Sequence, residues 1–256
     1  MTALYPQIVY GPVHSRRLGV SLGVNLLPLH SKLCTFDCIY CECGWNDDNR
    51  GKEGFNHPQV VEAALESRLQ QMTADGTLPD VITFAGNGEP TLHPDFEQII
   101  DFTIRLRDQY APNAKISVLS NATQLHRADV VRALERVDNN ILKIDSLVEG
   151  VAQLINKPCC NYSVASVVEL LKQFKGRVIV QTMFLRGEYE GQAFDNTSPE
   201  QVALWLEALK QIAPQSVMIY SIARDTPCKS LQKVEREELE LIAQKVRELG
   251  LTCSVA

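Results

Sequence analysis

The chain is predicted to be an α/β protein on a parallel sheet, and three observations predict it. Six short apolar runs alternate with amphipathic helical patterns, no two runs read as an antiparallel hairpin, and the unusual polar residues fall at the carboxyl ends of the runs. With 256 residues, 45% of them hydrophobic, the chain is large enough for one domain over 1–256, with 1–20 as an N-terminal extension and 34–41 as a cysteine loop.

The runs follow in order. Ser21 to Pro28 reads as the first strand, and Val61, Leu65, Leu69 and Met72 mark a helix over Pro58 to Met72. Asp80 to Gly86 is a buried strand stopped by glycine. Phe96, Ile99, Ile100 and Leu106 mark the next helix, with Pro94 near its first turn. Lys115 to Asn121 is the third strand, followed by a helical stripe at Val130, Val131, Leu134 and Val137. Asn140 to Ser146 is the fourth. Val164, Val167, Val168, Leu171 and Phe174 then form a helix that Gly176 is placed to end. Gly176 to Phe184 is the fifth strand. Ser198-Pro199-Glu200-Gln201 has the form of a capping box, opening a helix with Val202, Trp205, Leu206, Leu209 and Ile212 on one face. Gln215 to Ser221 is the sixth strand, and Leu239, Ile242, Val246 and Leu249 make the last helix, before a short tail.

A doubly wound sheet and an open partial (β/α)6 barrel both satisfy this alternation, and in either a ligand binds at the carboxyl ends of the strands. The cysteine loop follows strand one, Gly86 to Glu89 follows strand two, Ser120-Asn121 ends strand three and Asp145-Ser146 ends strand four.

The net charge of −6 argues mildly against a dedicated nucleic-acid binder, because phosphate affinity comes from Lys and Arg. The sequence shows neither a leader pattern nor an apolar run long enough to span a bilayer, so a cytoplasmic protein with no membrane partner is expected. Thiols stay reduced there, so clustered cysteines point to metal or redox work.

Four of the eight cysteines lie in CTFDCIYCEC. Cys34, Cys38 and Cys41 have the spacing C-x3-C-x2-C, and three thiolates on one loop can meet at one metal centre. Zinc would take Cys43 as a fourth ligand. An iron–sulfur cluster held by three cysteines would keep one iron open.

This loop, with an aromatic residue (Tyr40) before its third cysteine, resembles the signature of the radical S-adenosylmethionine (radical SAM) superfamily. Gly86-Asn87-Gly88-Glu89-Pro90 resembles that family's second motif, and the β/α alternation agrees with its partial-barrel core. The resemblance implies a [4Fe–4S] cluster on Cys34, Cys38 and Cys41 and SAM as cofactor. It implies reductive cleavage of SAM to a 5′-deoxyadenosyl radical that takes hydrogen from a substrate. A low-potential electron donor such as flavodoxin or ferredoxin follows as a partner.

The same resemblance places Tyr40 and Gly86, Asn87, Gly88 and Glu89 at the methionine end of SAM. It puts Ser120 and Asn121 beside the methionine or ribose. Asp145 and Ser146, a carboxylate and a hydroxyl at a strand end, either bind the ribose or the substrate or cap a turn. Gln181, inside an apolar strand, is a buried amide that needs a partner and is assigned to cofactor or substrate. Arg16, Arg17 and Arg224, with His14 nearby, are candidates for gripping a carboxylate or phosphate. Lys143 on strand four is expected to point outward to solvent. Cys43 is read as a bystander, and Cys159, Cys160, Cys228 and Cys253 as small side chains outside any second cluster. Arg186 to Thr197 is read as a polar loop over the mouth.

The passages GPVHSRRLGVSLGVNLLP, FAGNGEPTLHPDF, LSNAT, KIDS and RDTP resemble the branch of the superfamily grouped with the tRNA wyosine-forming enzymes. That group carries auxiliary-cluster cysteines upstream of the SAM loop, whereas the first cysteine here is Cys34. The expected substrate is therefore a small molecule or peptide of unknown identity. A tRNA or nucleotide substrate of wyosine type is the alternative, and a non-catalytic zinc or Fe–S module the third reading.

Overall fold

The computed structural model describes residues 4–15, 18–48 and 54–256. The N-terminal extension is a strand, β1 (Val9–Ser15), paired antiparallel with β2 (Gly19–Val24). This overturns the expectation of a sheet without hairpins. Gly11-Pro12 interrupts the alternating pattern of the segment, but β1 is an edge strand, where proline's missing N–H is tolerated. The register shifts between Tyr10 and Val13, around that pair.

From β2 the chain runs through the cysteine loop into α1 (Pro58–Ala74) and β3 (Val81–Phe84). A 3-10 turn at Pro90–Leu92 leads to α2 (Phe96–Tyr110), β4 (Lys115–Ser120), α3 (Ala128–Leu134) and β5 (Asn139–Lys143). Two helices follow, α4 (Glu149–Asn156) and α5 (Val164–Lys172), and then β6 (Ile179–Met183). A hairpin of β7 (Leu185–Tyr189) and β8 (Gln192–Asp195) precedes α6 (Pro199–Ile212) and β9 (Ser216–Tyr220). The chain closes with β10 (Gln232–Lys233), α7 (Arg236–Glu248) and β11 (Cys253–Val255).

The main sheet has the order β1-β2-β3-β4-β5-β6-β9-β11, and every pair beyond β1–β2 is parallel. The six expected strands are β2, β3, β4, β5, β6 and β9, in sequence order. A doubly wound sheet reverses direction at a switch point. Here the order never reverses, so right-handed crossovers stack the helices on one face and the sheet is an open β/α barrel. The short tail beyond Gly250 adds β11 to the sheet edge.

The loop expected over Arg186 to Thr197 is instead the β7–β8 hairpin, which β10 extends to three strands. Its turn residues Glu190 and Gly191 both have positive φ, 51° and 74°, as a two-residue hairpin turn requires. α4 has no counterpart in the sequence reading. α5 ends at Lys172, before Gly176, which opens the approach to β6, and Pro94 lies outside α2.

The helices bury the stripes the sequence predicts. Val61, Leu65, Leu69 and Met72 of α1 are fully buried in a core shared with Leu22, Ile82, Phe96 and Ile100. Each is worth roughly 1.5–3 kcal/mol of transfer free energy. At α6, Ser198 accepts the Gln201 N–H with Pro199 in the first turn. Gln201 does not complete the box, because its Oε1 accepts from Ser146 Oγ at 2.7 Å.

Alternation along the strands sorts the two faces. On β6, Val180 joins the outer core and Thr182 Oγ1 accepts from Trp205 Nε1 of α6 at 3.0 Å. Gln181 and Met183 therefore face the barrel interior. Met183 packs there with Phe36, Ile39 and Tyr40 of the cysteine loop and with Leu185 and Phe194 of the hairpin.

Candidate active site at the carboxyl ends of the strands

The cysteine loop and the glycine-rich turn are stitched together through their backbones. Leu33 N–H donates to the Asn87 carbonyl at 2.8 Å, and Glu89 N–H donates to the Leu33 carbonyl at 3.1 Å. This contact explains Gly88: a Cβ there would lie 1.8 Å from the Leu33 oxygen, and its φ is 139°. A Cβ at Gly86 would collide with the Asn25 side chain. The two glycines admit the chain's own Leu33 and Asn25 at this distance. The loop's other flank is tied to the end of α4. Asp37 N–H donates to the Asn156 carbonyl and Ile39 N–H to the Ile155 carbonyl, each at 3.0 Å, and Cys159 N–H donates to the Thr35 carbonyl at 2.8 Å.

The three thiols sit among hydrogen-bond donors. Phe36 N–H lies 3.4 Å and the Asn121 amide 3.6 Å from Cys34 Sγ, and Lys143 Nζ lies 3.1 Å from Cys38 Sγ. Burial pushes the Cys34 and Cys38 thiols up, with Lys143 pulling Cys38 back. Cys43 donates to Cys41 and lowers it to about 6. The Gly86 carbonyl, 3.4 Å from Cys43 Sγ, is the alternative acceptor for that single S–H. A second lysine, Lys32, is fully buried. Its ammonium pairs with Asp37 at 3.0 Å and the Gly44 carbonyl at 2.9 Å, and the charge of Cys41, Cys34 and Cys38 opposes its desolvation.

Lys143 corrects a sequence expectation, for it faces inward. Ile141, Lys143 and Asp145 share one face, while Leu142 and Ile144 join the helix-side core. The Lys143 ammonium contacts Asp145 Oδ2 at 2.9 Å and Asn156 Oδ1 at 2.5 Å, and lies 4.7 Å from the Tyr40 ring centre. Tyr40 OH donates to Asp145 Oδ2 at 2.5 Å, and Asp145 Oδ1 accepts Met183 N–H at 3.0 Å. Lys32, Lys143, Thr35 and Asn156 were absent from the expected site. The two-residue period of β5 held the signal for Lys143. Nothing local marked Lys32 or Asn156.

Glu89 is buried and joins the ends of two strands. Its Oε2 accepts Asn121 N–H at 2.7 Å, and its Oε1 accepts Thr91 N–H at 3.1 Å. Burial raises its carboxyl, and these donors oppose the rise. Ser120 Oγ accepts Ala122 N–H, and the Asn121 amide reaches Thr35 Oγ1 at 2.9 Å.

Asn87 belongs to the glycine-rich turn expected at the methionine end of SAM. Its side chain is fully buried and spent on backbone, with Oδ1 accepting Tyr5 N–H at 2.8 Å and Nδ2 donating to the Pro28 carbonyl at 2.8 Å. Ser146 is likewise spent on Gln201 and Val148 N–H. Gln181 is 7% exposed. Among the described residues no hydrogen bond is made by its amide, which faces the interior beside Lys143 and Met218.

Arg224 pairs with Glu42, the residue after Cys41, at 2.7 Å across an exposed surface. It lines a small cavity of about 50 Å³ with Tyr40, Met183 and Tyr220. His14 is exposed on β1. Arg16 and Arg17 lie outside the described residues. Cys159 and Cys160 are exposed, Cys228 is half-buried beside Ser230 Oγ at 3.1 Å, and Cys253 is buried in β11.

Three soft thiolates on one loop, with donors aimed at sulfur and two buried ammoniums beside them, are a donor set suited to an iron–sulfur cluster. Among the described residues no three His, Cys, Asp or Glu side chains converge as one metal ion would need. A cube takes each thiolate at a different corner, so its ligands need not converge on a point.

A family model described as the radical SAM superfamily matches residues 29–196. The chain is similar to a UPF0026 protein of Helicobacter pylori (strain ATCC 700392 / 26695), 29% identical over 91% of this chain and 72% of that protein. It is 32% identical to a UPF0026 protein of Methanocaldococcus jannaschii over 70% of this chain and 54% of that one. It is 31% identical to a UPF0026 protein of Synechocystis sp. over 89% of this chain and 79% of that one. Among solved structures it superposes on a radical SAM methyltransferase from Sphaerobacter thermophilus with TM-score 0.67 and 12% identity, covering 92% of this chain and 65% of that one. Streptococcus suis SuiB bound to S-adenosylmethionine gives 0.65 and 15%, covering 91% and 50%. Archaeal TYW1 gives 0.53 and 14%, covering 89% and 71%. The chain thus spans about half the length of SuiB and of the M. jannaschii relative. Radical SAM proteins bind a [4Fe–4S] cluster and SAM. The family match covers more than half of the sequence, including the cysteine loop and the glycine-rich turn, and this chain belongs to the radical SAM superfamily.

Proposed function

We propose that the chain is a radical SAM enzyme acting on a small-molecule or peptide substrate, with Cys34, Cys38 and Cys41 as the cluster ligands. The observation that carries this is the stitch between the cysteine loop and the Gly86–Glu89 turn, which brings both motifs to one end of the barrel. When bound, the cluster and SAM supply a 5′-deoxyadenosyl radical by one-electron reduction, the electron coming from a donor such as flavodoxin or ferredoxin. The chain's own part is to hold and shield. Three thiols grip the cluster and Gly86, Gly88 and Glu89 shape the place for the methionine end of SAM. Ser120, Asn121, Tyr40 and Asp145 line the way inward, and Gln181 offers an unspent amide to the bound molecules. Phe36, Ile39, Met183 and Phe194 exclude water.

The acid balance of the chain supports a small molecule or peptide over tRNA. So does Arg224, whose charge is already compensated by Glu42. SuiB, one fold neighbour, was solved bound to the precursor peptide SuiA. The TYW1 likeness is the support for the tRNA reading of wyosine type. Binding of bulk tRNA at two salt concentrations separates the two, since a phosphate-gripping surface shows a steep salt dependence.

The test is anaerobic reconstitution with iron and sulfide, reduction with dithionite, and addition of SAM. Release of 5′-deoxyadenosine is expected. The triple variant Cys34→Ala, Cys38→Ala, Cys41→Ala should lose both the brown colour and the product. Colour that survives the triple replacement would sink the ligand assignment, and a zinc-loaded wild type would favour the non-catalytic module.

A further inference from the structure

We propose that Lys143 is a positioning residue that tunes the metal centre, its ammonium holding Cys38 by an N–H···S hydrogen bond and making the cluster easier to reduce. The inference rests on the reading above, in which Cys38 is a ligand. An ammonium has three N–H donors and no acceptor. All three are matched: Cys38 Sγ at 3.1 Å, Asp145 Oδ2 at 2.9 Å and Asn156 Oδ1 at 2.5 Å. The faces of Tyr40 and Phe36 pack beside it at 4.7 and 5.3 Å. No donor is left over to grip a substrate, so the lysine's charge is committed to the thiol and its supports.

Stability does not explain the arrangement. A buried ion pair is weak evidence for stability, because apolar side chains replacing both partners together often serve as well. Lys143 is 13% exposed and its partner Asp145 is fully buried. What an apolar side chain cannot supply is a positive charge in direct contact with a ligating sulfur. Hydrogen bonds to sulfur and the local net charge are the levers by which a protein sets a cluster's potential. Adding one electron makes the cluster more negative, and a fixed ammonium favours that state. Lys32, the other buried ammonium, is spent on Asp37 and the Gly44 carbonyl. Lys143 is thus the lysine that contacts a ligating thiol directly.

The experiment compares the anaerobically reconstituted full chain with Lys143→Met, Lys143→Arg and Asp145→Asn. Each is titrated in a series of redox buffers without SAM and read by the electron paramagnetic resonance of the reduced cluster. Lys143→Met is expected to lower the reduced-to-oxidised ratio at a given potential at least tenfold, about 59 mV for one electron. Lys143→Arg keeps the charge and should recover most of the loss. Asp145→Asn removes the countercharge and should shift the midpoint the opposite way, which supplies a test should Lys143→Met not fold. Iron content and circular dichroism are measured on every protein. A Lys143→Met protein with full iron and an unchanged midpoint overturns the proposal, as does a folded one that holds no iron, since the lysine would then be structural. A wild type that assembles no cluster refutes the ligand reading before any lysine variant is compared.

Discussion

The Tyr40 hydroxyl donates to Asp145 Oδ2 at 2.5 Å, joining the cysteine loop to the end of β5 across 105 residues of sequence. The same oxygen meets Lys143, so loop, strand and lysine share one carboxylate. Tyr40→Phe keeps the ring and removes only the hydroxyl. A hydrogen bond to a charged acceptor is worth about 1.5–3 kcal/mol. That loss is expected in urea unfolding of the metal-free protein, and an unchanged midpoint would contradict the coupling.

Gly88→Ala should be among the most damaging small substitutions. The new methyl meets the Leu33 carbonyl, which is backbone and held on both sides. A loss of about 3 kcal/mol is expected from the forced backbone shift and the strained φ. Gly150→Ala is the control: it lies in α4 with nothing within 4 Å, and should stabilise by about 0.5 kcal/mol. Thermal unfolding of the pair measures the contrast.

Asn87→Ala removes an amide that holds the N-terminal segment and the start of the cysteine loop at once. The Pro28 carbonyl and Tyr5 N–H lose their partner. A cost of about 2–4 kcal/mol follows if both groups stay buried. Hydrogen exchange should quicken at Tyr5, and protection there equal to the wild type would refute the role.

His93 gives a pH dependence with a definite sign. Its Nδ1 accepts Asp95 N–H at 3.1 Å, so its Nε2 carries the proton donated to the Asn56 carbonyl at 2.9 Å. Burial lowers its affinity for a second proton below the ordinary value. The unfolded chain therefore protonates first as pH falls, and stability declines from about pH 6.5 downward until the folded state also takes the proton. His93→Gln should flatten that part of the stability curve between about pH 7.5 and 5.5. A slope equal to the wild type's would show that another group sets it.

The parallel core was legible because its strands are short apolar runs, β3 and β6 buried at every position, and the helices other than α4 show their stripes. The hairpins were not. β1 carries Gly11-Pro12 in its middle, and β7–β8 is polar enough to read as a loop, although Glu190-Gly191 is a turn of the right length. α4 spans only Glu149–Asn156 and begins beside a glycine, too short for periodicity to declare itself. Within the site, spacing marked Cys34, Cys38, Cys41 and the Gly86–Glu89 turn, because those motifs are contiguous. Lys32 and Asn156 act through contacts made by folding, and no local pattern announces them. Asn87 and Ser146 show the converse: placed inside a motif or at a strand end, they are occupied in fastening the chain.

The ties of the cysteine loop to Gly88 on one flank and to Ile155 and Asn156 on the other run entirely between peptide groups. None of them needs iron. The outline of the cysteine loop at these two flanks is therefore drawn by the polypeptide's own hydrogen bonds.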